Sequence, residues 1–163
     1  MPGAVSPILV LGVGNVLRQD EGVGVHAVRE LAKGAVGEWA ALVDGGTAVF
    51  QALSGWSEIT KLVVVDALRA GREPGSISRV SLREVADRAA PALSEHEHGL
   101  LDALGLLQQS GLRVGEVVIY GVEPAETGWG TELSETVQDS LLQLAARLEE
   151  ELGLSPPSEE MVI

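Results

Sequence analysis

A three-layer α/β/α sandwich built on a twisted, mostly parallel sheet is the fold class predicted for this chain. Three observations predict it. Short aliphatic runs alternate with amphipathic segments, which is the order of βαβ units. The runs are rich in Val, Leu and Ile without polar interruption, as strands covered on both faces require. Tight-turn residues follow the ends of the first two of them. The 163 residues are enough for one domain with its own core and too few for two. Residues 1–153 are expected to form that domain, and 154–163, with Ser155-Pro156-Pro157-Ser158-Glu159-Glu160, a flexible tail. Hydrophobic residues make up 45% of the chain but aromatics only 3%, so the core must be aliphatic.

The first strand is expected at Ile8–Val13, ending in the turn Gly12-Val13-Gly14-Asn15. A helix follows over Gly22–Lys33. At 100° per residue Val28, Leu31 and Ala32 fall on one side, and His26, Arg29, Glu30 and Lys33 on the other. Ala40–Val43 reads as a second strand closed by Asp44-Gly45-Gly46-Thr47, with a short helix near Val49–Leu53. Leu62–Val65, the purest strand signal, ends at Asp66. Ser76–Leu82 reads as a strand, Arg83–Ala89 as a short helix, Leu100–Gln109 as a helix and Glu116–Tyr120 as a strand. A long final helix spans Leu133–Leu152, with Leu133, Val137, Leu141, Leu144, Leu148 and Leu152 in register. No internal repeat or linker interrupts this order.

Charge and composition narrow the function classes. A formal net charge of −13 repels phosphate backbones, so neither nucleic acid nor an anionic membrane is expected as a partner. Such a charge also serves solubility alone. With no Cys there are no disulfides and no thiolate ligands, which fits the cytoplasm. No apolar stretch approaches the roughly 20 residues of a membrane span, and the N-terminus lacks the basic-then-apolar order of a signal peptide.

Ligands in open α/β sheets bind beyond the carboxyl ends of the strands. Asp20-Glu21 and Asp66 lie just past two such ends. Asp20 reads as a helper charge at a helix start, an N-cap or a partner of the helix dipole. Glu21 projects among Val25, Val28 and Ala32, and a carboxylate aimed inward needs a cation or a metal. In Ser94-Glu95-His96-Glu97-His98, Ser94 and Glu97 form a capping box that starts a helix near Glu95. That phase puts His96 with Leu100, Ala103 and Leu107, and His98 with Asp102 and Gln109 on the polar side. His96 is therefore the better ligand. Two carboxylates and one neutral imidazole suit borderline divalent ions such as nickel or zinc, and three protein ligands leave a position for water or substrate. The spacing matches no compact zinc motif. A dinucleotide site at Gly12-Val13-Gly14 with Asp44 is disfavoured, because Leu17 stands where a third glycine belongs and Asp20-Glu21 would face the pyrophosphate. Asp44, Gly45, Gly46 and Thr47 are instead expected to shape a substrate loop. No Gly-x-Ser-x-Gly is present, and no Cys nucleophile.

Five blocks in fixed order resemble the hydrogenase maturation endopeptidases. They are Leu11-Gly12-Val13-Gly14-Asn15-Val16-Leu17 with Asp20-Glu21-Gly22-Val23-Gly24; Asp44-Gly45-Gly46-Thr47; Val64-Val65-Asp66-Ala67; Ser94-Glu95-His96 leading to Gly99-Leu100-Leu101-Asp102-Ala103-Leu104; and Gly121-Val122-Glu123-Pro124. The resemblance runs from Ile8 to about Leu152. It implies a largely parallel sheet flanked by helices, and a metal held by Glu21, Asp66 and His96, which would also be the catalytic residues. His98 stands where the family usually has an apolar residue. The implied activity is removal of the C-terminal extension of a nickel–iron hydrogenase large-subunit precursor. The metal would be nickel already in that precursor, with another divalent ion able to replace it in vitro, and no organic cofactor is implied. Glu21 could remain a ligand or serve as the base. The alternatives are a nickel-dependent checkpoint that binds the precursor without cutting it, and a general aminopeptidase or amidase on a similar scaffold.

Overall fold

The computed structural model describes residues 7–87 and 95–153, of which 85–87 and 95–98 by their backbone alone. The expected tail at 154–163 and the capping residue Ser94 lie outside the described residues. The elements in chain order are β1 (Ile8–Val13), a 3-10 turn (Gln19–Gly22), α1 (Val23–Leu31), a second 3-10 turn (Val36–Glu38), β2 (Ala41–Gly46), α2 (Val49–Leu53) and β3 (Glu58–Ala67). Then follow β4 (Ile77–Ser81), α3 (Leu82–Asp87), α4 (Glu95–Gln109), β5 (Arg113–Val122) and α5 (Glu135–Glu151). The five strands form one sheet in the order β2-β1-β3-β5-β4. All neighbours are parallel except the edge pair β4 and β5.

Period-two alternation along the strands splits the core into two. Leu9, Leu11 and Val13 of β1, with Leu62 and Val64 of β3, pack against Leu53 of α2 and Leu100, Leu104 and Leu107 of α4. The intervening Val10, Val63 and Val65 turn to the other face and meet Val28 and Leu31 of α1 and Val137, Leu141, Leu144 and Leu148 of α5. Each such side chain, fully buried, contributes roughly 1.5–3 kcal/mol, which is why strands with two apolar faces read as unbroken aliphatic runs.

The strands are longer than their aliphatic centres. β3 runs Glu58–Ala67 where Leu62–Val65 was expected, and β5 runs Arg113–Val122 where Glu116–Tyr120 was expected. Glu58 and Arg113 face each other in register as an exposed pair 3.7 Å apart, so ladder hydrogen bonds continue past the apolar segment. β2 reaches Gly46 because Gly46 pairs with Val13 after a shift in register. In α1, Ala32 follows the helix and is exposed rather than inward. Among the described residues no helix is long and apolar enough to cross a membrane.

Two glycines set the approach of α1 to the sheet. A Cβ on Gly24 would lie 2.0 Å from the carbonyl oxygen of Val65, and one on Gly12 would lie 2.4 Å from that of Gly24. The start of α1 thus touches backbone of β1 and β3 directly. That contact fixes the turn carrying Glu21 over the sheet's carboxyl edge.

Candidate functional site

Because β1 and β3 run parallel, their carboxyl ends open on the same edge of the sheet. Asp66 is the penultimate residue of β3. It has the same parity as Leu62 and Val64, so it belongs to the face covered by α2 and α4. It is buried, 8% exposed, and its Oδ1 accepts the Ala67 N–H at 2.8 Å. Glu21 lies in the 3-10 turn rather than in α1, with its side chain 24% exposed. Gly14 brings the two together. It has φ +134°, and a Cβ there would sit 1.8 Å from the carbonyl oxygen of Glu21 and 3.5 Å from Oδ1 of Asp66. Only glycine fits between the Glu21 backbone and the Asp66 carboxylate.

His96 is in the first turn of α4. At 100° per residue its position shares a face with Leu100, Ala103 and Leu107, all buried against the sheet. Position 98 falls nearer Asp102, which is exposed. The side chains of both histidines lie outside the described residues. Among the described residues no group of three His, Asp or Glu stands together as a metal site. The third member expected for a set at this edge, His96, has its side chain outside the described residues.

Asp20 is not the helix cap expected of it. It is completely buried. Its Oδ2 accepts from the Ala125 and Glu126 N–H groups and the Ser134 hydroxyl at 2.9, 2.8 and 2.8 Å, and its Oδ1 from the Ser134 N–H at 2.7 Å. Neither the 3-10 turn nor α1 has a side-chain cap. Asp20 instead ties the 125–134 segment to the turn bearing Glu21. Around this tie, Arg18 Nε donates to the Thr127 carbonyl at 2.9 Å and its guanidinium lies 5.1 Å from the exposed Trp129 ring. Arg69 Nη2 donates to Thr127 Oγ1 at 2.9 Å and stands 3.7 Å from Glu21 Oε1. The sequence reading missed Arg18, Arg69, Thr127 and Trp129, which carry no motif. The one available signal was an arginine three residues after Asp66.

Beside this edge a cleft of about 570 Å3 opens between α2 and α4. Val13, Gly14, Gly46 and Thr47 line its floor side, with Phe50 and Leu106 as exposed apolar rims. Of the expected substrate loop, Gly46 and Thr47 reach the cleft. Gly45 packs on Leu11, where a Cβ would meet Cδ1 at 2.7 Å. Asp44 is not among the cleft residues; its carboxylate lies 3.7 Å from Arg29 of α1.

The donor set suits a divalent ion on chemical grounds: hard carboxylate oxygens at an edge kept free of side-chain bulk by Gly14, with an imidazole-bearing turn on the same face of the sheet. Among the described residues, burial and then Arg29 lower the pKa of His26 in α1, and the largest displacements lie where α5 ends over β3, β5 and β4. There the Glu151 carboxyl is held down to about 2, first by its hydrogen bond with Arg79 and then by those with Lys61 and Tyr120. Burial, followed by the Glu151 contact, pushes the Tyr120 phenol up to about 12.

Fold and edge define a class: α/β proteins whose acidic groups gather beyond the parallel strands and beside an open, peptide-sized cleft. The chain belongs to the hydrogenase maturation protease family, whose family model matches residues 25–151. It is 33% identical over 154 residues to the hydrogenase expression/formation protein HupD of Bradyrhizobium diazoefficiens, covering 91% of this chain and 80% of that one. It is 32% identical over 157 residues to the hydrogenase 2 maturation protease of Escherichia coli, covering 95% and 83%. Among solved structures, the hydrogenase maturating endopeptidase HybD from E. coli superposes with a TM-score of 0.76 at 26% identity, covering 90% of this chain and 92% of that one. The nickel–iron hydrogenase maturation protease HybD from Thermococcus kodakarensis gives 0.75 at 29% identity, covering 90% and 98%.

Proposed function

We propose that this protein is a cytoplasmic endopeptidase that removes the C-terminal extension of a nickel–iron hydrogenase large-subunit precursor after engaging the nickel that the precursor carries. The observation that carries the reading is the packing of Gly14 between the Glu21 backbone and the Asp66 carboxylate, beside an open cleft with apolar rims. Family membership supplies the class of activity, and the site supplies the chemistry. The nickel arrives as part of the substrate and would polarise the scissile carbonyl or an attacking water. Glu21, Asp66 and His96 hold that ion and thereby position the bond. A carboxylate oxygen that does not bind the ion takes up the proton from water, and Glu21, the more exposed of the two acids, would supply that oxygen while its other oxygen holds the ion. The extended segment to be cut lies in the cleft between Phe50 and Leu106.

The test is the length of a cognate precursor incubated with this protein, with and without nickel. Shortening only when nickel is loaded is the expected result. Nickel-loaded precursor that stays full length beside the protein would overturn the peptidase reading in favour of a checkpoint. Turnover of short unrelated peptides would point to a general peptidase.

A further inference from the structure

We propose that Arg69 is a gate on Glu21. In the free enzyme its guanidinium occupies the carboxylate and holds loose divalent ions off it, so that an ion delivered inside a docked precursor is the one that engages. The inference rests on the reading of Glu21 as a ligand and names how that ligand is guarded.

Arg69 is held from two sides. Its Nη2 lies 3.7 Å from Glu21 Oε1 and donates to Thr127 Oγ1 at 2.9 Å. Thr127 is fixed in turn, since its carbonyl accepts from Arg18 Nε at 2.9 Å and the preceding N–H groups of Ala125 and Glu126 are bound by the buried Asp20. The backbone beside Arg69 is pinned as well, by the Ala70 N–H donating to Glu123 Oε2 at 2.7 Å.

Such a guard answers a need the composition creates. A chain with net charge −13 draws cations to its surface, and an open carboxylate edge is where they would collect. Arg69 opposes that locally, both by pairing with Glu21 and by repelling a second cation. It can also leave: 65% of its side chain is exposed, so swinging it aside disturbs no core contact. A half-exposed ion pair is weak, which a gate must be if a docking partner is to open it.

Isothermal titration of nickel into the full chain tests this, using the wild type, Arg69→Met, Arg69→Lys, Thr127→Val and Glu21→Gln, each checked for folding by thermal melt. Arg69→Met should bind nickel about two- to fivefold more tightly, the gain expected from removing one exposed ion pair. Thr127→Val, which frees the guanidinium without removing it, should shift affinity in the same direction by less, and Arg69→Lys should fall between. The gain should shrink as salt is raised. Unchanged or weaker binding by Arg69→Met and Thr127→Val, with Glu21→Gln weakened, would overturn the gate and leave the site standing. Glu21→Gln binding nickel like the wild type would overturn the site reading, and the gate with it. Absence of measurable binding by Arg69→Met as well as the wild type would equally overturn the gate, since nothing would then be guarded.

Discussion

Adjacent along the chain, Asp20 and Glu21 serve different ends because of what each carboxylate faces. Asp20 meets four donors and no solvent, whereas Glu21 stays partly exposed beside Arg69. Glu21 could be singled out from sequence because a carboxylate among valines demands a partner, although the turn it occupies is 3-10 rather than the expected helix. The role of Asp20 could not be seen, since its donors lie 105 to 114 positions away and nothing local announces them. Asp20→Asn would put an amide donor among N–H donors, and we expect it to cost about 2–4 kcal/mol of stability by urea denaturation. Glu21→Gln should keep the wild-type melting temperature within a few degrees and abolish precursor cleavage on a gel. Gly14→Ala should do both kinds of damage, because the added methyl meets the Glu21 carbonyl and the φ of +134° is strained for any other residue.

At the scale of elements, β1 was legible to both its ends, whereas β3 and β5 were legible only at their centres. Aliphatic runs mark where a strand is covered on both faces. Pairs such as Glu58 with Arg113 extend the ladder into solvent, where composition carries no strand signal. Helix α4 was legible in its phase, and the buried set Leu100, Ala103, Leu104 and Leu107 confirms it. That phase makes the two histidines separable by experiment. His96→Ala should leave the fold intact and processing below detection, while His98→Ala should process at close to the wild-type rate. A dead His98→Ala enzyme would exchange their roles. The 124–134 segment gave no sequence signal beyond the block ending at Pro124. It is held by Asp20, Arg18 and Arg69, all distant from it in sequence.

For the whole molecule, the ionic cluster at the end of α5 contributes to the response to acid. Glu151 receives Lys61, Arg79 and Tyr120 and is nearly buried. Its folded pKa, about 2, lies below its ordinary value of 4.5. The stability it contributes is therefore complete above about pH 4.5 and is lost as the pH falls toward 2. We expect Glu151→Gln to lower stability at neutral pH by on the order of 2 kcal/mol. It should also flatten the decline between those two pH values, followed by circular dichroism melts across the range. Processing at neutral pH should survive, because the cluster touches none of the edge residues.

The knot that Asp20 makes with residues 125–134 carries a consequence for synthesis. A ribosome releases Glu21 early and Ser134 more than a hundred residues later, and the central strand β3 likewise waits for β5. Until that late segment emerges, the turn bearing Glu21 has its contacts with β1 and β3 but lacks the tie through Asp20. The carboxyl edge of the sheet is thus completed only late in synthesis, as the segment leading into α5 is made.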